Sequence, residues 1–180
     1  MDEKRTRFEA QVLPHLDAAY RYARWLAHSR ADADDVLQEA ALRAYRGFAD
    51  LRGTDAKCWL LTIVRNCHLT AARHRQRQKL VPLPAEDEAD SVAFIARTPD
   101  PQEDAIRRDE RRVLERLLAQ LPHEHREVLV LRELEDLDYR EIAAVTSVPI
   151  GTVMSRLARA RSALRAQWLA QAGGASHAVR

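Results

Sequence analysis

The 180 residues are 46% hydrophobic and 31% charged, with a formal net charge of +2, a balance that fits one or two small folded domains rather than a disordered chain. Five glycines, seven prolines and 6% aromatic residues, set against abundant Ala, Leu, Arg and Glu, favour helix over sheet, because straight side chains lose little freedom in a helix. No stretch reaches the ~18 apolar residues of a membrane span, and the charged start "MDEKRTRFEA" lacks the apolar core of a signal peptide. An all-α, cytoplasmic protein with no membrane insertion is expected.

In chain order, Phe8, Val12, Leu16, Ala19, Ala23 and Leu26 recur at the three-to-four spacing of an amphipathic helix, with Pro14 as a kink or early break. A second helix begins at the acidic run Asp32 to Asp35, whose charges suit a helix N-terminus. It buries Val36, Leu37, Ala40, Ala44 and Phe48. "ADLRGTD" reads as a loop. Asp55 is placed to cap a third helix, apolar through Trp59, Leu60, Ile63 and Val64 and basic in its second half. Cys58 and Cys67 fall on its opposite faces, roughly 13 Å apart along the axis, too far for a disulfide.

Residues 80–99 carry three prolines, a cluster of acids and no sustained period, and read as a linker. In "DPQE", Asp100 is an N-cap, Pro101 the first helical residue and Glu103 the capping-box partner. Ile106, Val113, Leu114, Leu117 and Leu118 continue that helix on one face. Pro122 opens another, and Asp138 with Glu141 repeats the capping box before a further short helix. The expected architecture is two small helical domains joined by an acidic linker: residues 1–79, linker 80–99, residues 100–172, and a flexible tail 173–180.

Charge alternates along this layout. Arg65 to Lys79 holds five basic residues and no acid, Leu80 to Asp104 seven acids against Arg97, and the chain after Glu141 five arginines and no acid. In the last helix, at ~100° per residue, Leu157, Ala160 and Leu164 lie within about 40° of Val153 and form the face to be buried. The opposite face presents Gly151, Ser155, Ala158 and Ser162, flanked by Thr152, Met154, Arg159, Arg161 and Arg165. Small residues allow close approach to a groove, and arginines beside them reach phosphates or base edges. On the residues alone the pattern describes either a helix-turn-helix whose second helix reads DNA or two packed helices with a solvated basic face.

At these residues the chain resembles the extracytoplasmic-function (ECF) sigma factors. The stretch from "LPHEHREVLVL" to "RSALR", and "PIGTVMSRLARAR" most of all, is similar to their second domain, whose helix-turn-helix binds the minus-thirty-five element. "DADDVLQEAALRAYRGF" resembles the helix that docks on the polymerase clamp, and "WLLTIVRNCHLTAARHRQR" the helix facing the minus-ten element. The resemblance implies polymerase contacts from Asp32, Asp35, Gln38 and Glu39. It implies minus-ten contacts from Arg65, Asn66, Arg73, His74, Arg75 and Arg77, and minus-thirty-five contacts from Arg140, Thr152, Met154, Ser155, Arg156, Arg159 and Arg161. The implied function is to bind core RNA polymerase, direct it to promoter DNA and assist opening, with an anti-sigma factor as a further partner. The alternative is a conventional helix-turn-helix regulator that binds duplex DNA without polymerase. In the linker, the resemblance implies a path through polymerase, while composition alone equally describes a soluble tether.

Three departures from the family pattern stand out: Met154 replaces a basic residue, Thr70 an aspartate, and Ser147 a turn glycine, which is free of strain if its φ is negative. Trp59 has core spacing and reads as packing. Cys58, Cys67, His68 and His74 lack any metal-ligand frame, and no glycine-rich phosphate loop or catalytic set is distinguishable, so neither cofactor, metal nor enzymatic activity is expected.

Overall fold

A computed structural model describes residues 2–27, 29–51, 55–78 and 113–175. The linker 80–99 and the helix start expected at Asp100 to Glu103 lie outside the described residues. Helix α1 runs Asp2–Val12 and α2 Leu16–Leu26, separated by a 3₁₀ turn at Leu13–His15. Pro14 sits at the start of that turn, where its missing N–H costs no helical hydrogen bond. The predicted break therefore divides one apolar stripe between two helices, and Val12, Ala19, Ala23 and Leu26 are all buried.

Helix α3 (Arg30–Arg46) starts two residues before the acidic run, because Ser29 is its cap: the Ser29 hydroxyl accepts from the Asp32 N–H at 3.1 Å. Helix α4 (Ala56–Gln78) is capped as expected, with Asp55 Oδ1 accepting from the Lys57 and Cys58 N–H groups at 2.7 and 3.3 Å. Leu60, Leu61 and Val64 seat it against α2 and α3. Each large apolar side chain so buried contributes about 1.5–3 kcal/mol.

In the second half, α5 covers 113–119 of the described residues, α6 is His123–Glu133, α7 Tyr139–Thr146 and α8 Ile150–Ala175. The helix-turn-helix is α7 and α8. The Asp138–Glu141 capping box forms in full, the Asp138 carboxylate accepting from two N–H groups and the Glu141 carboxylate accepting from the Asp138 N–H at 2.7 Å. Val153, Leu157 and Ala160 are buried, and Leu164 packs partly against the core. The angular count thus placed this face correctly.

Ser147 differs from expectation. Its φ is 55° and ψ 41°, the left-handed region, as the chain reverses and its N–H turns back to the Ala143 and Ala144 carbonyls. A Cβ there costs about 1–2 kcal/mol. Ser147→Gly should therefore raise stability by about 0.5–1 kcal/mol, net of the entropy that glycine loses on folding. Ser147→Ala, which keeps the Cβ, should be near neutral. Urea midpoints of the two variants provide the check.

The two halves are not separate bodies. One continuous core holds Val12, Tyr22, Leu60 and Val64 from the first half with Val128, Leu131, Ile142 and Leu157 from the second. Helices α2 and α4 pack on α6 and α7. Cys58 and Cys67 are free and buried on opposite faces of α4, and burial pushes both thiols above their usual pKa.

Candidate nucleic-acid and polymerase interface

Helix α8 presents to solvent the face predicted to read DNA. Met154, Ser155, Ala158 and Arg159 are exposed, and a methyl group added at Gly151 would meet nothing within 4 Å. The small residues are therefore not demanded by internal packing. Arg140, at the start of α7, is exposed beside Tyr139 in a shallow cleft that also includes Arg132 and Asp138. Thr152 and Arg156 are half-buried on the flank.

Local sequence suggested that these arginines lack acidic neighbours, and along α8 that holds. Across the fold it does not. Arg156 pairs with Glu124 of α6 at 2.7 Å, and Arg161 with Glu133 at 2.7 Å. The hydrogen bonds that Arg161 donates to Glu133 raise its pKa. Helix α6 brings those acids beside α8, a proximity no local spacing encodes. Arg159 has no ion-pair partner among the described residues, which leaves its charge for an external anion.

Helix α4 divides its predicted residues among three surfaces. At ~100° per residue, Asn66, Arg73 and Arg77 share one stripe with Trp59, Ile63 and Thr70. Arg65 lies about 100° away and turns into the second half, where its Nε donates to Glu127 Oε1 at 2.8 Å. Arg75 turns toward α3 and pairs with Asp32. A cleft of about 240 Å³ is lined by Arg43, Gly47, Trp59, Ile63 and Asn66. Trp59 is only partly buried and forms part of its wall, so it serves the core and an open cleft at once.

On α3, Asp35 and Gln38 are exposed, Glu39 is held by Arg43 at 2.6 Å, and Asp32 is tied to Arg75. Two residues outside the predicted set share the stripe of Asp35 and Gln38: Leu42, 48% exposed, and Tyr45, 41% exposed. All four fall within about 80° around the helix. The same angular count would have found them, since apolar residues on an otherwise polar face are its signal. A second cleft, about 320 Å³, runs between α3 and α4 and is lined by Asp32, Asp35, Glu39, Cys67, His74 and Arg75 among others. Three predicted polymerase residues, Asp32, Asp35 and Glu39, thus meet two predicted minus-ten residues, His74 and Arg75, along one groove.

Two helical halves, the first with a mixed acidic and apolar stripe beside a basic helix and the second with an exposed helix flanked by arginines, define an all-helical protein with a helix-turn-helix. Residues 12–78 match the family described as Sigma-70 region 2, and residues 111–164 that described as Sigma-70, region 4. The chain is 34% identical over 137 residues to the ECF RNA polymerase sigma-E factor of Escherichia coli K12, covering 74% of this chain and 72% of that protein. It is 35% identical over 156 residues to ECF RNA polymerase sigma factor SigE of Mycolicibacterium smegmatis, covering 86% of this chain and 58% of that protein. The fold resembles that of the sigma factor RpoE crystallised with the anti-sigma factor NepR from Bartonella quintana, with TM-score 0.70 and 25% identity, over 88% of this chain and 94% of that one. The chain belongs to the ECF RNA polymerase sigma factors.

Proposed function

We propose that this sigma factor docks on core RNA polymerase through the α3 stripe of Asp35, Gln38, Leu42 and Tyr45, and reads promoter DNA with two separate helices. Helix α8 lies in the major groove at the minus-thirty-five element, with Arg159, Met154 and Ser155 toward base edges and Arg140 toward phosphate. The α4 stripe of Asn66, Arg73 and Arg77 follows the backbone of the minus-ten strand, and the Trp59–Asn66 cleft takes an unstacked base. Binding and positioning are its whole task, with no bond made or broken, and its place of action is the cytoplasm, where polymerase works.

The observation that carries this reading is the exposed outer face of α8, where Arg159 stands without a carboxylate while its neighbours Arg156 and Arg161 are paired. Met154, 54% exposed, supplies an apolar contact in place of a charge, which suits a thymine methyl. An anti-sigma partner, of the kind that NepR is for RpoE, belongs to the same proposal. A conventional regulator leaves the region 2 half without a role.

Transcription reconstituted with core polymerase on genomic fragments tests the reading. Promoter-specific products that need this chain support it. Tight binding of the chain alone to a palindromic duplex, with no gain on adding core enzyme, would refute it. Within that system, Asp35→Ala or Gln38→Ala should weaken core binding by about 1–2 kcal/mol, roughly 5–30-fold, as is usual for contacts near an interface centre. Competition for core enzyme measures this, and circular dichroism of the variants should match the parent.

A further inference from the structure

The two acids that pair with α8 stand at opposite ends of α6 and hold arginines on opposite flanks of the outer face of α8. Arg161 donates from Nη2 and Nε to a single oxygen, Glu133 Oε1, at 2.7 and 3.3 Å. Arg156 Nη2 lies 2.7 Å from Glu124 Oε2. Counted from Val153, the outer face centres at about 180°, with Arg161 at about 80° and Arg156 at about 300°. Arg161 thus follows Met154 along one edge of that face, and Arg156 borders Arg159 along the other. Glu133 and Glu124 are 52% and 63% exposed, and an exposed ion pair adds little to stability. The electrostatic effect of these acids therefore falls mainly outward.

We propose that Glu124 and Glu133 hold down sequence-independent DNA binding by α8, and so act as specificity-determining residues that touch no base. A major groove about 12 Å wide closely fits a helix about 10–12 Å across, so side chains on the two flanks of the helix face the phosphate walls. Arg156 and Arg161 occupy those flanks, and each has its charge offset by an acid of the neighbouring helix. Binding to arbitrary sequence is almost wholly phosphate attraction, whereas a promoter complex adds base contacts. Base contacts also fix the register of the helix, while on arbitrary sequence it is free to shift until a flank arginine meets a phosphate. Unpaired flank arginines would therefore favour arbitrary sequence most, and discrimination is the difference between the two affinities.

The proposal rests on reading α8 as the DNA-contacting helix, and not on the polymerase surface of α3. With both pairs formed, Arg159 alone of these three arginines lacks an acidic partner among the described residues. Without the acids all three would be available, and each arginine that meets a phosphate adds about 0.9 to the salt dependence of binding. A genome offers on the order of 10⁶ or more competing sites, so the restraint bears on how much of the chain reaches a promoter.

Fluorescence anisotropy of the full chain on a random-sequence duplex, over a range of salt, provides the test. Glu133→Gln should bind about three- to tenfold more tightly than the parent and steepen the slope of log affinity against log salt by about 0.9. Glu133→Gln/Arg161→Ala, which removes the pair and keeps the net charge, should match the parent in both. Circular dichroism establishes that the variants remain helical, and Glu124→Gln, at the more exposed acid, serves if Glu133→Gln unfolds. No gain in the folded single variant overturns the proposal. So does a double variant that binds more weakly with a flatter slope, because Arg161 is then already a phosphate contact in the parent. On a promoter duplex with core polymerase the Glu133→Gln gain should be less than about twofold, and a gain equal to that on random duplex overturns the role in specificity. If no promoter-specific product is found, the sigma reading fails while the random-duplex measurements still decide whether the acids restrain binding.

Discussion

Arg159→Ala is expected to weaken binding to the cognate minus-thirty-five element by about 1–3 kcal/mol, roughly 5–150-fold, and to relax preference at the base it touches. Stability should change by less than about 0.5 kcal/mol, because the side chain is exposed and has no ion-pair partner among the described residues. Core polymerase binding should be untouched, since α8 lies away from the α3 stripe. Fluorescence anisotropy with holoenzyme on matched and mutated promoter duplexes separates the effects. A uniform loss on every duplex would make Arg159 a phosphate contact, and no loss at all would remove it from the interface. Arg156→Ala and Arg161→Ala should each cost less, because each already shares its charge with a carboxylate of α6.

Two residues earlier on the same helix, Leu157→Ala should do the reverse. Leu157 is 1% exposed and belongs to the core shared by α6, α7 and α8. Removing its methyl groups forfeits their transfer free energy and leaves a cavity, together about 2–5 kcal/mol. That is a large part of the ~5–15 kcal/mol available to a folded domain. The urea midpoint should fall steeply, and promoter binding should drop for every sequence alike, because the reading helix loses its seat. A variant that kept full stability would show that α8 does not pack through this residue. The contrast of two positions about 200° apart separates reading from seating on one helix.

Much of this was legible because helices advertise themselves locally. Pro14, Asp55, Asp138 and Glu141 act through atoms within four residues of their own, so the break, the cap and the capping box could be read from spacing. The buried face of α8 followed from period alone. Ser29 was missed as the α3 cap because the acidic run after it carries the same N-terminal signal and drew the start forward. The negative φ allowed for Ser147 was also mistaken, since residue type sets what a turn costs but the path of the chain sets its angles.

The all-helical class, the order of the elements and the buried and exposed faces of α8 were thus determined by the sequence by itself. What only the tertiary structure decided was which charges are available. Arg65, Arg156 and Arg161 are neutralised by Glu127, Glu124 and Glu133, acids 62, 32 and 28 positions distant by residue number. Coulomb attraction acts through space, and its strength rises as burial removes water from around the pair. Sequence spacing carries no record of that distance, so a basic run could be recognised along the chain, but its free and spent members could be told apart only once the helices had packed.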